Sequence, residues 1–181
     1  MKVIFVGSEK AGSGVGVIPV FKGGKFYGAA KRYARDSVGQ VKAAMKAGHF
    51  HGEKGSSVSL YAPTGSKLAG LLLKGAGEKA DFDAEMFGAT AMRELRVSGE
   101  KTLTLHLDGF KLKPDDAARA VVGARLAAYH FFKYRTKLPK GSETTITTIR
   151  VSVDDSAKAR AAYQKFHGPI CDGQLMARDL V

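Results

Sequence analysis

The sequence predicts an α/β domain of three layers, a mixed β-sheet with helices on both faces. Three observations predict it. Strand-like and helix-like runs alternate through the second half of the chain. The apolar runs at 58–61 and 68–73 are joined by a short turn at Pro63-Thr64-Gly65, which makes that pair an antiparallel hairpin. The stretch from Pro114 to Tyr134 is apolar almost all round, the pattern of a helix buried against a sheet.

Taken in order, Val3 to Val6 reads as a first strand and Val15 to Phe21 as a second. Pro19 argues for an edge position or a bulge, because proline donates no ladder hydrogen bond. Gly23-Gly24 turns the chain into two short helices, Tyr27 to Arg35 and Val38 to Lys46. In the second, Val38, Val41, Ala44 and Met45 share a face, and Gly48 ends it. The hairpin follows, and its run Leu71-Leu72-Leu73 lacks alternation, as a strand buried on both faces does. Asp81 or Asp83 caps a helix carrying Phe82, Met86, Phe87, Met92 and Leu95.

Leu103, Leu105 and Leu107 alternate with Thr102, Thr104 and His106, which gives a further strand. The long helix comes next. Pro114 suits a first turn, Asp115 and Asp116 sit at the positive end of the dipole, and Lys133, Arg135 and Lys137 sit at the negative end. On such a helix His130 is a core histidine. The β-branched run Thr144 to Val151 is a strand. Asp154 or Asp155 caps a last helical region, which Gly168-Pro169 should kink or restart.

The 181 residues suit one domain over 1–152 and a helical connector over 153–181. Cys171 is the single cysteine, so no internal disulfide forms and a reducing cytoplasm is expected. No run approaches the roughly 18 apolar residues that span a bilayer. The net charge of +12 is the compositional anomaly. Much of it lies in Lys22, Lys25, Lys31, Arg32, Arg35, Lys42, Lys46 and Lys54, opposed locally by Asp36 and Glu53. Such a cluster either tracks a nucleic-acid backbone or forms a solvated face, and the sequence leaves both open.

No catalytic constellation emerges. Gly12-Ser13-Gly14-Val15-Gly16 precedes a strand, whereas a dinucleotide fingerprint follows one and opens a helix. Gly75-Ala76-Gly77 follows a strand and precedes a helix, so it is either an anion contact or a tight turn. His49 and His51 offer two metal ligands, but only Glu53 stands near to complete a site, and a surface loop is the simpler account. His106, His130 and His167 are far apart in sequence. Asp172 beside Cys171 raises a thiol pKa rather than lowering it, which argues against a reactive cysteine.

Four stretches carry a family resemblance: Leu71-Leu72-Leu73-Lys74-Gly75-Ala76-Gly77, Phe87-Gly88-Ala89-Thr90-Ala91, Gly123 through Arg135, and Ala177-Arg178-Asp179-Leu180-Val181. Together they resemble the amino-terminal domain of the leucyl aminopeptidase (cytosol aminopeptidase) family. The resemblance implies a macro-domain-like fold and a parent metalloprotease that removes amino-terminal residues from peptides. It also implies a homohexamer whose carboxy-terminal domain, the partner of this one, holds two divalent metals (zinc or manganese). The Asn-Thr-Asp-Ala-Glu-Gly-Arg-Leu motif of that domain does not occur here, so this chain alone is expected to be inactive, with a role in assembly or regulation. The alternatives are a DNA-binding domain, which the basic cluster would serve, and a free-standing macro-like ligand module.

Overall fold

The structure, a computed structural model, describes residues 1–8, 13–37, 39–131, 141 and 143–180. Its strands are β1 (Lys2–Val6), β2 (Gly14–Phe21), β3 (Ser57–Tyr61), β4 (Leu68–Gly77), β5 (Thr102–His106) and β6 (Thr148–Ser152). They form one mixed sheet in the order β1-β6-β5-β2-β4-β3. Only the β3–β4 hairpin is antiparallel; every other pair is parallel. The helices are α1 (Ala29–Asp36), α2 (Gln40–Ala47), α3 (Ala84–Leu95), α4 (Pro114–Ala128), α5 (Ser156–Ala162) and α6 (Gly168–Asp179).

Strand periodicity divides the core in two. Leu103 and Leu105 of β5, Ile149 and Val151 of β6 and Phe5 of β1 point to one face, where they meet Phe87, Ala91 and Met92 of α3 and Val121 and Ala124 of α4. The other cluster packs Ile18, Val20, Leu71 and Leu73 beneath Ala29, Ala30 and Tyr33 of α1 and Val41 of α2. It takes no residue from β1, β5 or β6. On that side β5 and β6 present Thr104 opposite Arg150 and His106 opposite Ser152.

α3 and α4 touch through glycine. A Cβ on Gly88 would run into the carbonyl oxygen of Ala120, and one on Gly123 into that of Glu85. The two backbones therefore approach closer than any side chain allows. Asp83 caps α3, accepting from the Met86 N–H at 3.0 Å, and Asp155 caps α5, accepting from Lys158 N–H at 3.0 Å.

Four expectations need correction. β2 is a central strand, not an edge. Its pairing with β5 ends at Val17, so Pro19 breaks no rung of that ladder, and a register shift follows at Val20/Phe21. α4 stops at Ala128, where Tyr129 turns extended (φ −65, ψ 131). Side chains from elsewhere take up the last carbonyls: Arg178 Nη1 donates to Leu126 O at 3.0 Å and Thr144 Oγ1 to Ala128 O at 3.2 Å. His130 consequently lies past the helix and is exposed, not in the core. The rest of the expected helix, 132–135, lies outside the described residues.

The strand expected from Thr144 begins only at Thr148. Before it, the Thr145 and Thr147 amides donate to Arg96 O at 2.7 Å and Lys101 O at 2.9 Å, carbonyls of the loop after α3. At Gly168-Pro169 the α-helix restarts as expected, with Pro169 in the first turn of α6. A π-helical turn, Tyr163–His167, joins α5 to α6. Widening the turn lets the chain pass a proline that has no N–H and that would clash in α geometry.

Candidate functional site

The sheet reverses its connections between β5 and β2. β2 continues through α1 and α2 towards β4, while β5 continues through α4 towards β6. In parallel α/β sheets the carboxyl ends of strands at such a point open a crevice where ligands bind. Here the β5 end carries His106-Leu107-Asp108-Gly109. Asp108 is buried and accepts from the Ala29 amide of α1 at 2.7 Å and the Ser152 hydroxyl at 3.0 Å. Burial pushes its carboxyl above the ordinary 3.8.

Beside it lies a cleft of 240 Å³ between α1, the β3–β4 turn, the segment after β1 and the end of β5. Arg32, Tyr33, Asp36, Lys67, Ser8 and His106 line it. His106 is 3% exposed and Tyr33 8%. Their rings meet edge to face at 5.0 Å. Among the described residues neither ring nitrogen of His106 nor the Tyr33 hydroxyl has a hydrogen-bond partner, and the same holds for Thr104 Oγ1 behind them. Burial, with a lesser push from Arg32, brings the His106 pKa down to about 4, so the ring is neutral at pH 7. Burial likewise raises that of Tyr33.

Of the basic cluster, Lys22, Lys25, Lys31, Arg32, Arg35, Lys42 and Lys46 are all exposed. Lys31 and Arg35 stand one turn apart on α1, and Lys42 and Lys46 one turn apart on α2. Lys22 pairs with Glu78 at 3.0 Å and Arg35 with Asp36 at 2.9 Å, while Arg32 Nη2 reaches Ser8 O at 3.4 Å.

Gly75–Gly77 is neither a tight turn nor an anion cradle but the end of β4. Gly75 N–H donates to Ser56 O at 2.8 Å and Gly77 N–H to Gly52 O at 2.9 Å, so both amides are spent on the backbone crossing above them. Lys74, buried on the same strand, pairs with Glu94 at 3.0 Å. His49 and His51 are exposed on either side of buried Phe50. His167 Nε2 meets Asp115 Oδ1 at 2.6 Å, tying the last helical run to α4. Cys171 is buried and its thiol pKa is raised, chiefly by that burial. Among the described residues no group of three or more His, Cys, Asp or Glu side chains is placed to hold a metal ion, so a two-metal centre does not fit them. No helix of the described residues is long and apolar enough to cross a membrane.

Residues 17–138 match the N-terminal domain of the cytosol aminopeptidase family. The chain belongs to that family. A probable cytosol aminopeptidase of Afipia carboxidovorans is 34% identical over an alignment covering 100% of this chain and 37% of that protein. One of Caulobacter vibrioides is 32% identical over 83% of this chain and 30% of its own length. Among solved structures, a mutant of tomato leucine aminopeptidase superposes with a TM-score of 0.79 at 16% identity, covering 99% of this chain and 38% of that one. The bottromycin maturation enzyme BotP gives 0.62 at 22% identity, covering 92% and 32%. At those identities the superpositions speak for the fold alone. The chain thus spans about a third of the length of the cytosol aminopeptidases it matches, at their N-terminal part.

Sequence reasoning placed the basic residues but missed Tyr33, Lys67 and His106 as neighbours. One signal was present: Thr102, Thr104 and His106 alternate with leucines, which sets a polar row against an apolar one on the same strand.

Proposed function

We propose that this chain is the non-catalytic N-terminal domain of a metal-dependent aminopeptidase, serving to dock and orient the catalytic part and to support its assembly. The observation that carries this reading is the two-sided character of the last helical run. Its inner side is tied to α4: Arg125 donates to Tyr163 Oη at 2.9 Å and to Asp172 Oδ1 at 2.7 Å, and Tyr129 Oη donates to Asp179 Oδ1 at 2.8 Å. Its outer side leaves Phe166, Ile170, Met176 and Leu180 between 54% and 77% exposed. Large apolar side chains left exposed along a well-anchored helical run make a surface built to be covered. Ala159 fixes α5 in the core, so within the connector proposed for 153–181 it is α6 that faces the catalytic domain. Two-metal hydrolysis would then be chemistry of that other domain, in line with the family resemblance, and the whole would work as a hexamer.

The test is a chimera in which this chain replaces the matching N-terminal part of the Afipia carboxidovorans protein. The chimera is expected to hydrolyse a leucine anilide with manganese or zinc and to run as an oligomer, while the chain alone releases nothing above a buffer blank. Ile170→Asp with Met176→Asp should lower both activity and oligomer size. A doubly substituted chimera that assembles and works like its parent would remove the docking role.

The two cationic turns of α1 and α2 favour a second reading, weak sequence-indifferent binding of duplex DNA through Lys31, Arg35, Lys42 and Lys46, with Lys22, Lys25 and Arg32 adding charge. Each phosphate contact contributes about −0.9 to the log–log salt slope. Reversing the charges of Lys31 and Arg35 should flatten that slope; equal slopes would leave the cluster a solvated face.

A further inference from the structure

We propose that the cleft between α1 and the end of β5 binds a small oxyanion, a phosphate or carboxylate head group, with Tyr33 and His106 as buried donors and Arg32 and Lys67 as the neutralising cations. The inference does not rest on the aminopeptidase reading.

Burying a hydroxyl or an imidazole without a partner costs free energy, and native interiors leave few such groups. Here two of them, both more than nine-tenths buried, line the same 240 Å³ space with no partner among the described residues. The volume exceeds what one water molecule fills, roughly 30 Å³ in the liquid. The sign of the ligand follows from the wall. Lys67 has no ion pair among the described residues, and Arg32 makes only one long bond, to Ser8 O at 3.4 Å. The acids nearby are spent: Asp36 holds Arg35 at 2.9 Å, and Asp108 turns to Ala29 N–H and the Ser152 hydroxyl. A neutral imidazole offers one N–H, a phenol one O–H, and the two cations supply charge at the mouth. That set satisfies an anion with several acceptor oxygens and leaves a cation unsatisfied.

The experiment titrates the 181-residue chain with inorganic phosphate and, separately, with malonate at constant ionic strength, following the ring signals of His106 and Tyr33 by NMR. Saturable shifts are expected with at least one of them, and the anion that saturates at lower concentration shows whether the head group is tetrahedral or planar. Lys67→Gln and Arg32→Gln, both at exposed positions, should each weaken binding about tenfold, as loss of a charge-assisted hydrogen bond does. Tyr33→Phe keeps the ring and should weaken it about threefold. Ring signals that stay still, or that drift without saturation in step with Lys42 and Lys46, would mean that the cleft holds only solvent. Unchanged affinity in all three variants would overturn the site equally.

Discussion

The two faces of the sheet are made on opposite plans. On the α3–α4 face the core is apolar apart from buried Lys74 and its partner Glu94, the helices meet through glycines, and Phe21, Tyr27, Phe82, Phe87 and Phe110 interlock at ring separations of 5.2 to 6.1 Å. The α1–α2 face is apolar only over β2, β3 and β4, and gives way over β5 and β6 to Thr104, His106, Arg150 and Ser152. One face is filled as closely as the chain allows. The other keeps polar groups that the fold itself does not satisfy. Close packing rewards stability, whereas orphaned donors cost it, and Tyr33, Thr104, His106 and Arg150 gather such donors on the α1–α2 face, with Arg96 at the end of α3 a further one.

The sharpest way to break the comparison is to add volume where the helices meet. Gly88→Val should part α3 from α4 and cost about 3 kcal/mol or more, because backbone rather than a mobile side chain stands in the way. A urea midpoint close to that of the parent would mean that this face is looser than its glycines imply.

The second test uses pH on the other face. The unfolded chain takes up a proton on His106 near pH 6.5, whereas the folded chain takes it up only near 4. Its stabilising share is therefore complete above pH 6.5 and falls as pH drops towards 4, by about 3 kcal/mol. Asp108 works in the other direction, since its raised pKa makes its contribution shrink as pH rises above 3.8. Comparing the parent with His106→Leu between pH 7 and 4.5 isolates the histidine. The variant should lose less stability on acidification, and parallel curves would show that His106 titrates as freely as in a peptide.

The smallest effect concerns the fringe of the packed face. Leu126 is half-buried in the last turn of α4, so Leu126→Ala should cost about 1–2 kcal/mol, below the range of a core leucine. A loss above about 4 kcal/mol would put it in the core proper.

Periodicity revealed the packed face well. The alternation at Leu103–Leu107, the triple leucine of β4 and the apolar residues of α3 and α4 placed both the strands and the inward sides of the helices. It failed where long-range partners replaced local ones. Nothing near Ala128 tells α4 to stop, because the bonds that close it come from Thr144 and Arg178. Nothing near Thr145 delays β6, because its amide answers to Arg96. The cleft was illegible for the same reason. Tyr33, Lys67 and His106 read locally as a helix face, a turn and a strand end, and only the crossing of β2 by the β4-to-β5 connection brings them together.

The π-helical turn between α5 and α6 decides where the last helix looks. Such a turn amounts to one residue more than regular winding requires, and each residue of an α-helix advances the azimuth by about 100°. Everything after His167 is therefore rotated relative to a plain continuation of α5. With that offset Asp172 and Asp179 come round to Arg125 and Tyr129, and Ile170, Met176 and Leu180 take the outward heading. Wound regularly, the same residues would turn Asp172 and Asp179 away from Arg125 and Tyr129. A single surplus residue beside a proline thus fixes the compass direction in which the last helix points its exposed side chains.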